Sequence, residues 1–277
     1  MKKILSLIAL IYFFGINSTN AQEDLKWSTD SPAGFMELQL PSAGSLLQGF
    51  MYKANGSKPH PTLLLLHGYP GNERNLDLAQ AVRAHGWNVI YFNYRGSWAS
   101  QGEFSFRHCV EDVKNVVDYL KANAVKMQID PQQIALFGHS MGGFVCLKAL
   151  QEIPGIKKGF ALSAWDIYQN ITTQSAKGLA GQEKEADDYF VLNKKSGKAL
   201  FAAVVAEADF HNLKNAAGPL ANKQVVMLDE HHHNEALANT LKKANQNYFV
   251  YEVWDTDHSF TNKRGSLIKK VIAFLDR

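Results

Sequence analysis

The chain has 277 residues, 46% of them hydrophobic and 20% charged, with 20 glycines and 8 prolines, which excludes a disordered, collagen-like or low-complexity protein. A chain of this length can bury a large core as one domain without disulfide staples. Lys and Arg total 29 against 26 Asp and Glu, a net charge of +3 to which Lys2 and Lys3 contribute two units. No dense basic patch exists to release phosphate counterions, so nucleic acid is not an expected partner.

Met1-Lys2-Lys3 precedes an almost wholly apolar run over 4–16, and Thr19-Asn20-Ala21 ends on the small residue that a signal peptidase requires. This reads as a secretory signal over 1–21, with a mature chain starting near Gln22 in the periplasm or outside the cell. The apolar run falls short of the roughly 20 residues of a comfortable membrane span. No stable span is expected once the signal is cleaved, and an uncleaved anchor is the alternative. No cysteine follows the run to accept a lipid.

Past the leader, 35–40 and 46–53 read as two strands joined by a Pro-Ser-Ala-Gly turn, an antiparallel hairpin. The run 60–68 contains four consecutive leucines and ends on glycine, which suits a strand buried on both faces of a parallel sheet. A polar helix is predicted over 73–85 and a second buried strand over 88–94. A helix over 107–123 sets Val110, Val113, Val116, Val117 and Leu120 on one face. Strand 134–137, helix 141–152 and strand 160–164 follow. Over 166–222 the alternation fails, and the stretch reads as helical with no strand of its own. Strand 224–228, helix 235–244, strand 248–254 and helix 267–275 complete the chain. Cys109 and Cys146, both in helical segments, read as small buried thiols. Strand–helix alternation of this kind calls for an α/β fold: a mostly parallel central sheet with an N-terminal antiparallel hairpin and helices on both faces.

Gly138-His139-Ser140-Met141-Gly142, followed by Gly143, carries the chemistry. A nucleophilic serine on a tight strand-to-helix turn needs glycines two residues either side, where side chains would collide, and the predicted strand and helix supply that setting.

With these residues the sequence resembles the α/β-hydrolase fold, and within it the prolyl-oligopeptidase-like and dienelactone-hydrolase-like branches. The resemblance runs from about Leu47 to the C-terminus. It rests on His67-Gly68-Tyr69-Pro70-Gly71, Asn93-Tyr94-Arg95-Gly96-Ser97 with Gly102, the turn at Ser140, and Thr256-Asp257-His258-Ser259-Phe260. It implies an oxyanion hole built from the amides of Tyr69 and Met141, with the Tyr69 hydroxyl as a variant donor.

Of ten histidines, His258 is the expected base, since it follows the last strand and precedes the last helix, where this fold returns a loop to the nucleophile. His67 is expected to brace the oxyanion loop. The fold's order is serine, acid, histidine, with the acid just past the strand 224–228. Asp229 is the first candidate. Glu230 beside it and Asp166, past the preceding strand, are alternatives, while Asp257 is poorly placed to reach the far nitrogen of His258. His231-His232-His233 lacks the spacing of a metal motif and reads as a solvated loop, and neither metal nor cofactor is expected.

Residues 166–222 fall where the fold carries a cap. Trp165, Ile167, Tyr168, Tyr189, Phe190, Phe201 and Phe210 would line a lid over Ser140, or else bury the lid against the body. The expectation is a single hydrolase domain over 22–277, secreted or periplasmic, cleaving a carboxylic ester or short peptide amide through an acyl-enzyme. A catalytically inactive binding protein on the same fold is the alternative.

Overall fold

The computed structural model describes residues 27–277, so the leader expected over 1–21 lies outside the described residues. β1 (Gly34–Ser42) and β2 (Ser45–Lys53) form the hairpin, in register from Gly34↔Lys53 to Ser42↔Ser45. Its turn is tighter than anticipated. The strands continue through Pro41 and Ser42, and only Ala43 (φ 45°) and Gly44 (φ 79°) bend the chain. Two successive positive φ angles match the twist of the strands they join.

β3 (His60–Leu66), α1 (Leu76–Ala84), β4 (Asn88–Phe92), α2 (Phe106–Ala122), α3 (Ala124–Met127), β5 (Ile129–His139), α4 (Met141–Glu152) and β6 (Lys158–Leu162) follow. Next come α5 (Ile167–Thr173), α6 (Ala176–Asp188), α7 (Gly197–Ala206), α8 (Ala208–His211) and a 3₁₀ turn at Leu213–Ala216. The chain closes with β7 (Gln224–Asp229), α9 (Glu235–Ala244), β8 (Phe249–Val253) and α10 (Arg264–Leu275). Among the described residues eight strands form one sheet in the order β1-β2-β4-β3-β5-β6-β7-β8, antiparallel across β1, β2 and β4 and parallel from β4 to β8. This is the fold class that the alternation predicts. β5 starts five residues before the strand expected over 134–137.

Side-chain parity splits the interior into two cores. Leu64, Leu66, Leu136, Val225 and Met227 face α2, α4 and α9, whereas Leu63, Leu65, Phe137, Val226 and Leu228 face α1 and α10. A strand covered on both faces must be apolar at every position, which is why β3 carries leucine without alternation. α2 buries the valine and leucine stripe read from its spacing, and the Ser105 side chain caps it by accepting from His108 N. Cys109 and Cys146 are buried and unbridged.

Between β6 and β7 the chain makes α5 to α8. This insertion is tied to the body by main-chain hydrogen bonds from Trp98 N to Val191 O (2.7 Å), Asn193 N to Gly96 O (2.6 Å) and Phe104 N to Asn193 O (2.7 Å). No helix of the described residues is long and apolar enough to cross a membrane.

Candidate active site

Ser140 occupies the turn between β5 and α4 with φ 59° and ψ −119°, a conformation that costs an L residue on the order of 1–3 kcal/mol. The neighbours permit it because they lack side chains. A Cβ on Gly138 would lie 1.9 Å from Gly142 O, and one on Gly142 would lie 1.9 Å from Leu66 O. Ser140 N donates to Leu162 O (2.8 Å), and Ser140 O accepts from Trp165 N (3.0 Å). The strained residue is therefore fastened to the end of β6 and the segment beyond it.

The loop after β3 lies against this turn, since a Cβ on Gly68 would stand 3.2 Å from Ser140 Cβ. The amides of Tyr69 and Met141 make no loop or cap hydrogen bond among the described residues. His67 Nδ1 donates to Gly68 O (2.8 Å), and burial holds the ring neutral by lowering it to about 4. A neutral, buried imidazole bonded within its own loop is a brace. The Tyr69 hydroxyl is buried without a hydrogen bond, and its ring packs against Trp165 and Tyr189 with centroids 5.9 and 5.2 Å away.

His258 follows β8, and its Nδ1 donates to Glu230 Oε1 at 2.6 Å. The carboxylate against the imidazole is Glu230, which corrects the expectation of Asp229. Strand parity is the reason. Asp229 ends β7 on the face of Val225 and Met227, turned toward α4 and α9, whereas Glu230 continues the face of Val226 and Leu228. The loop bearing His258 leads into α10, whose Leu267 and Val271 belong to that second face, as does Phe260. A shift of one residue moves a side chain to the other side of a sheet. The extra methylene of glutamate then reaches from the end of β7 to the loop.

The two carboxyls differ in state as well. Burial raises Glu230, but the hydrogen bonds from His258 and Ser163 outweigh it and hold the group at about 2. At Asp229 burial dominates and pushes the carboxyl up to about 7; neither oxygen makes a hydrogen bond, and the nearby Asn234 and Tyr251 offset only part of the cost. His258 is raised above its ordinary value, chiefly by the hydrogen bond to Glu230 and against desolvation.

Asp166 caps α5 by accepting from Gln169 N (3.2 Å), and Asp257 binds Thr261; neither meets His258. His139, beside the serine, donates from Nε2 to His258 O (2.8 Å) and so fixes the backbone at His258. The sequence reading missed that contact, and nothing in the local pattern announces it. No hydrogen bond joins Ser140 Oγ to His258 among the described residues, an arrangement common where the contact tightens only around substrate.

Ser140, Glu230 and His258 line one cavity of about 760 Å³. Of the seven cap residues expected over the serine, Trp165, Tyr189 and Phe201 line it. Ile167 is buried in the core, Phe210 packs under Arg107 and Lys148, and Phe190 is 96% exposed. His231 and His233 stand at the cavity wall with rings 4.4 Å apart, and no metal-holding group occurs among the described residues. Asp166, Glu185, Asp229 and Glu230 also line the cavity, and among the described residues no Lys or Arg does.

A family model described as serine aminopeptidase, S33 matches residues 57–182. The chain is 27% identical over 105 residues to lysophosphatidylserine lipase ABHD12 of Danio rerio, covering 37% of this chain and 26% of that protein. It is 24% identical over 145 residues to cutinase 1 of Thermobifida cellulosilytica, covering 50% and 52%. The chain thus spans about half the length, or less, of these curated relatives. The Pyrococcus furiosus esterase Pf2001 superposes with a TM-score of 0.65 at 21% identity, over 88% of this chain and 91% of that one. At that identity the likeness is one of fold.

Proposed function

This chain belongs to the α/β-hydrolase fold, and from that premise we propose that it is a serine hydrolase cleaving carboxylic esters through an acyl-enzyme. The observation that carries the reading is the 2.6 Å contact between His258 Nδ1 and Glu230, in one cavity with a serine on a strained strand-to-helix turn. With Nδ1 committed to the carboxylate, the proton of His258 sits on that nitrogen and Nε2 is the free base.

In this reading Ser140 Oγ attacks the ester carbonyl while its proton passes to His258 Nε2. Glu230 stabilises the imidazolium that forms. The amides of Tyr69 and Met141 hold the developing oxyanion, a role in which one donor is worth about 10²–10³ in rate. His258 returns the proton to the leaving alcohol, and water, deprotonated by the same nitrogen, releases the acid and restores Ser140. The lipase, cutinase and esterase among the similar proteins support ester over amide. The basic start and apolar run of residues 1–21 support a place of action outside the cytoplasm.

A fluorophosphonate probe is expected to label the protein at Ser140, and Ser140→Ala to abolish labelling and lower turnover by about 10⁴–10⁶ while the protein stays folded. An unlabelled wild type would mean an inactive binding protein. Faster cleavage of aminoacyl amides than of matched esters would move the assignment to a peptidase.

A further inference from the structure

The segment after β6 connects the serine to the acid. On one side Leu162 O accepts from Ser140 N and Trp165 N donates to Ser140 O. On the other, Ser163 N donates to Leu228 O (2.8 Å), Asn234 Nδ2 donates to Ala164 O (2.8 Å), and Ser163 Oγ donates to Glu230 Oε2. Glu230 thus has one oxygen on His258 and the other on Ser163.

Ser163 is 6% exposed and lies at φ 45°, in the left-handed region that favours glycine. Glycine would meet the backbone requirement at no steric cost, so the serine there is strained by its own Cβ. Its hydroxyl is the one feature glycine could not supply. A glutamate also carries one more rotatable bond than an aspartate, and a second anchor removes that freedom.

Resting on the serine hydrolase reading, we propose that Ser163 is a positioning residue, holding Glu230 so that its other oxygen stays on His258 Nδ1. It touches no reacting atom and acts through the carboxylate.

The test compares Ser163→Gly with Ser163→Ala in the full protein. Both lose the hydroxyl, but only alanine keeps the strain, so glycine is expected to melt higher than alanine. Activity should ignore that difference: kcat for a 4-nitrophenyl ester falls about tenfold in both variants, with KM within twofold of wild type. With Glu230 loosened, the imidazolium is less supported, so the acid limb of kcat/KM moves to lower pH. A ¹⁵N NMR titration of His258 reads the same downward shift without turnover, so the proposal remains testable if the wild type hydrolyses no ester. Near-wild-type kcat in Ser163→Gly would overturn it, as would activity that follows melting temperature across the two variants. So would a His258 titration that stays put or moves up.

Discussion

Asp229 and Glu230 are adjacent along the chain, yet one keeps its proton until about pH 7 and the other loses it near 2. Their amide variants should separate accordingly. Glu230→Gln is expected to lower turnover at least a hundredfold, because the amide neither fixes the tautomer of His258 nor stabilises the imidazolium, an effect that reaches about 10⁴ elsewhere. Asp229→Asn should keep activity within about tenfold and alter stability instead. The folded carboxyl titrates at about 7, above its unfolded value, so the fold binds more protons than the unfolded chain between those points. Stability from this group is complete below the unfolded value and is lost as pH rises toward 7. The asparagine variant should therefore melt with wild type in acid and above it at pH 8, which thermal unfolding at the two pH values checks. Since His258 must be neutral to accept a proton and is raised above 6.5, kcat/KM should fall on the acid side of a limb lying above that value.

At the scale of elements, the turn between β5 and α4 leaves no room for a side chain at Gly138 or Gly142. A methyl at Gly142 would lie 1.9 Å from Leu66 O, so either β3 or α4 must move, and both carry site residues at their ends. Gly142→Ala should cost on the order of 3 kcal/mol or more, read as a lowered denaturation midpoint together with lost activity. This junction was legible in the sequence because its requirement is local: glycines at fixed offsets from a serine, between an apolar strand and a helix. The buried leucine strand and the stripe of α2 were legible for the same reason. The acid was not. Deciding between Asp229 and Glu230 needs the face of β7 on which α10 lies, and that is a property of the assembled sheet. The hairpin turn shows a smaller version: Pro41 and Ser42 look like turn residues, but their pairing with Leu46 and Ser45 keeps them in strand. The role of Ser163 was hidden altogether, since only the meeting of β6 and β7 gives its hydroxyl a carboxylate to hold.

Across the whole molecule, the cavity between insertion and body has a charge bias that net composition conceals. The chain is +3 overall, yet the cavity carries Asp166, Glu185 and Glu230, with Asp229 joining them as it ionises, and no Lys or Arg among the described residues. Trp165, Tyr189 and Phe201 supply apolar wall. An anionic acyl group would enter against like charge, at a cost of about 1–4 kcal/mol for a pair 4 Å apart as the effective dielectric falls from about 80 to 20. A factor of ten needs only about 1.4 kcal/mol. 4-Nitrophenyl butyrate should therefore be cleaved with a kcat/KM at least tenfold above that of the 4-nitrophenyl monoester of succinate, which differs by a terminal carboxylate. Glu185 sits near the exposed rim, so part of the gap should close as salt shortens the Debye length to about 10 Å at 0.1 M. Replacing the acidic side chains one at a time, with Asp166→Asn and Glu185→Gln, should narrow the gap from the side of the succinate ester and leave the butyrate ester less affected. Equal rates on the two esters at low salt would show that the acyl group lies away from these carboxylates, and the apolar wall would then be the only part of the cavity that selects substrate.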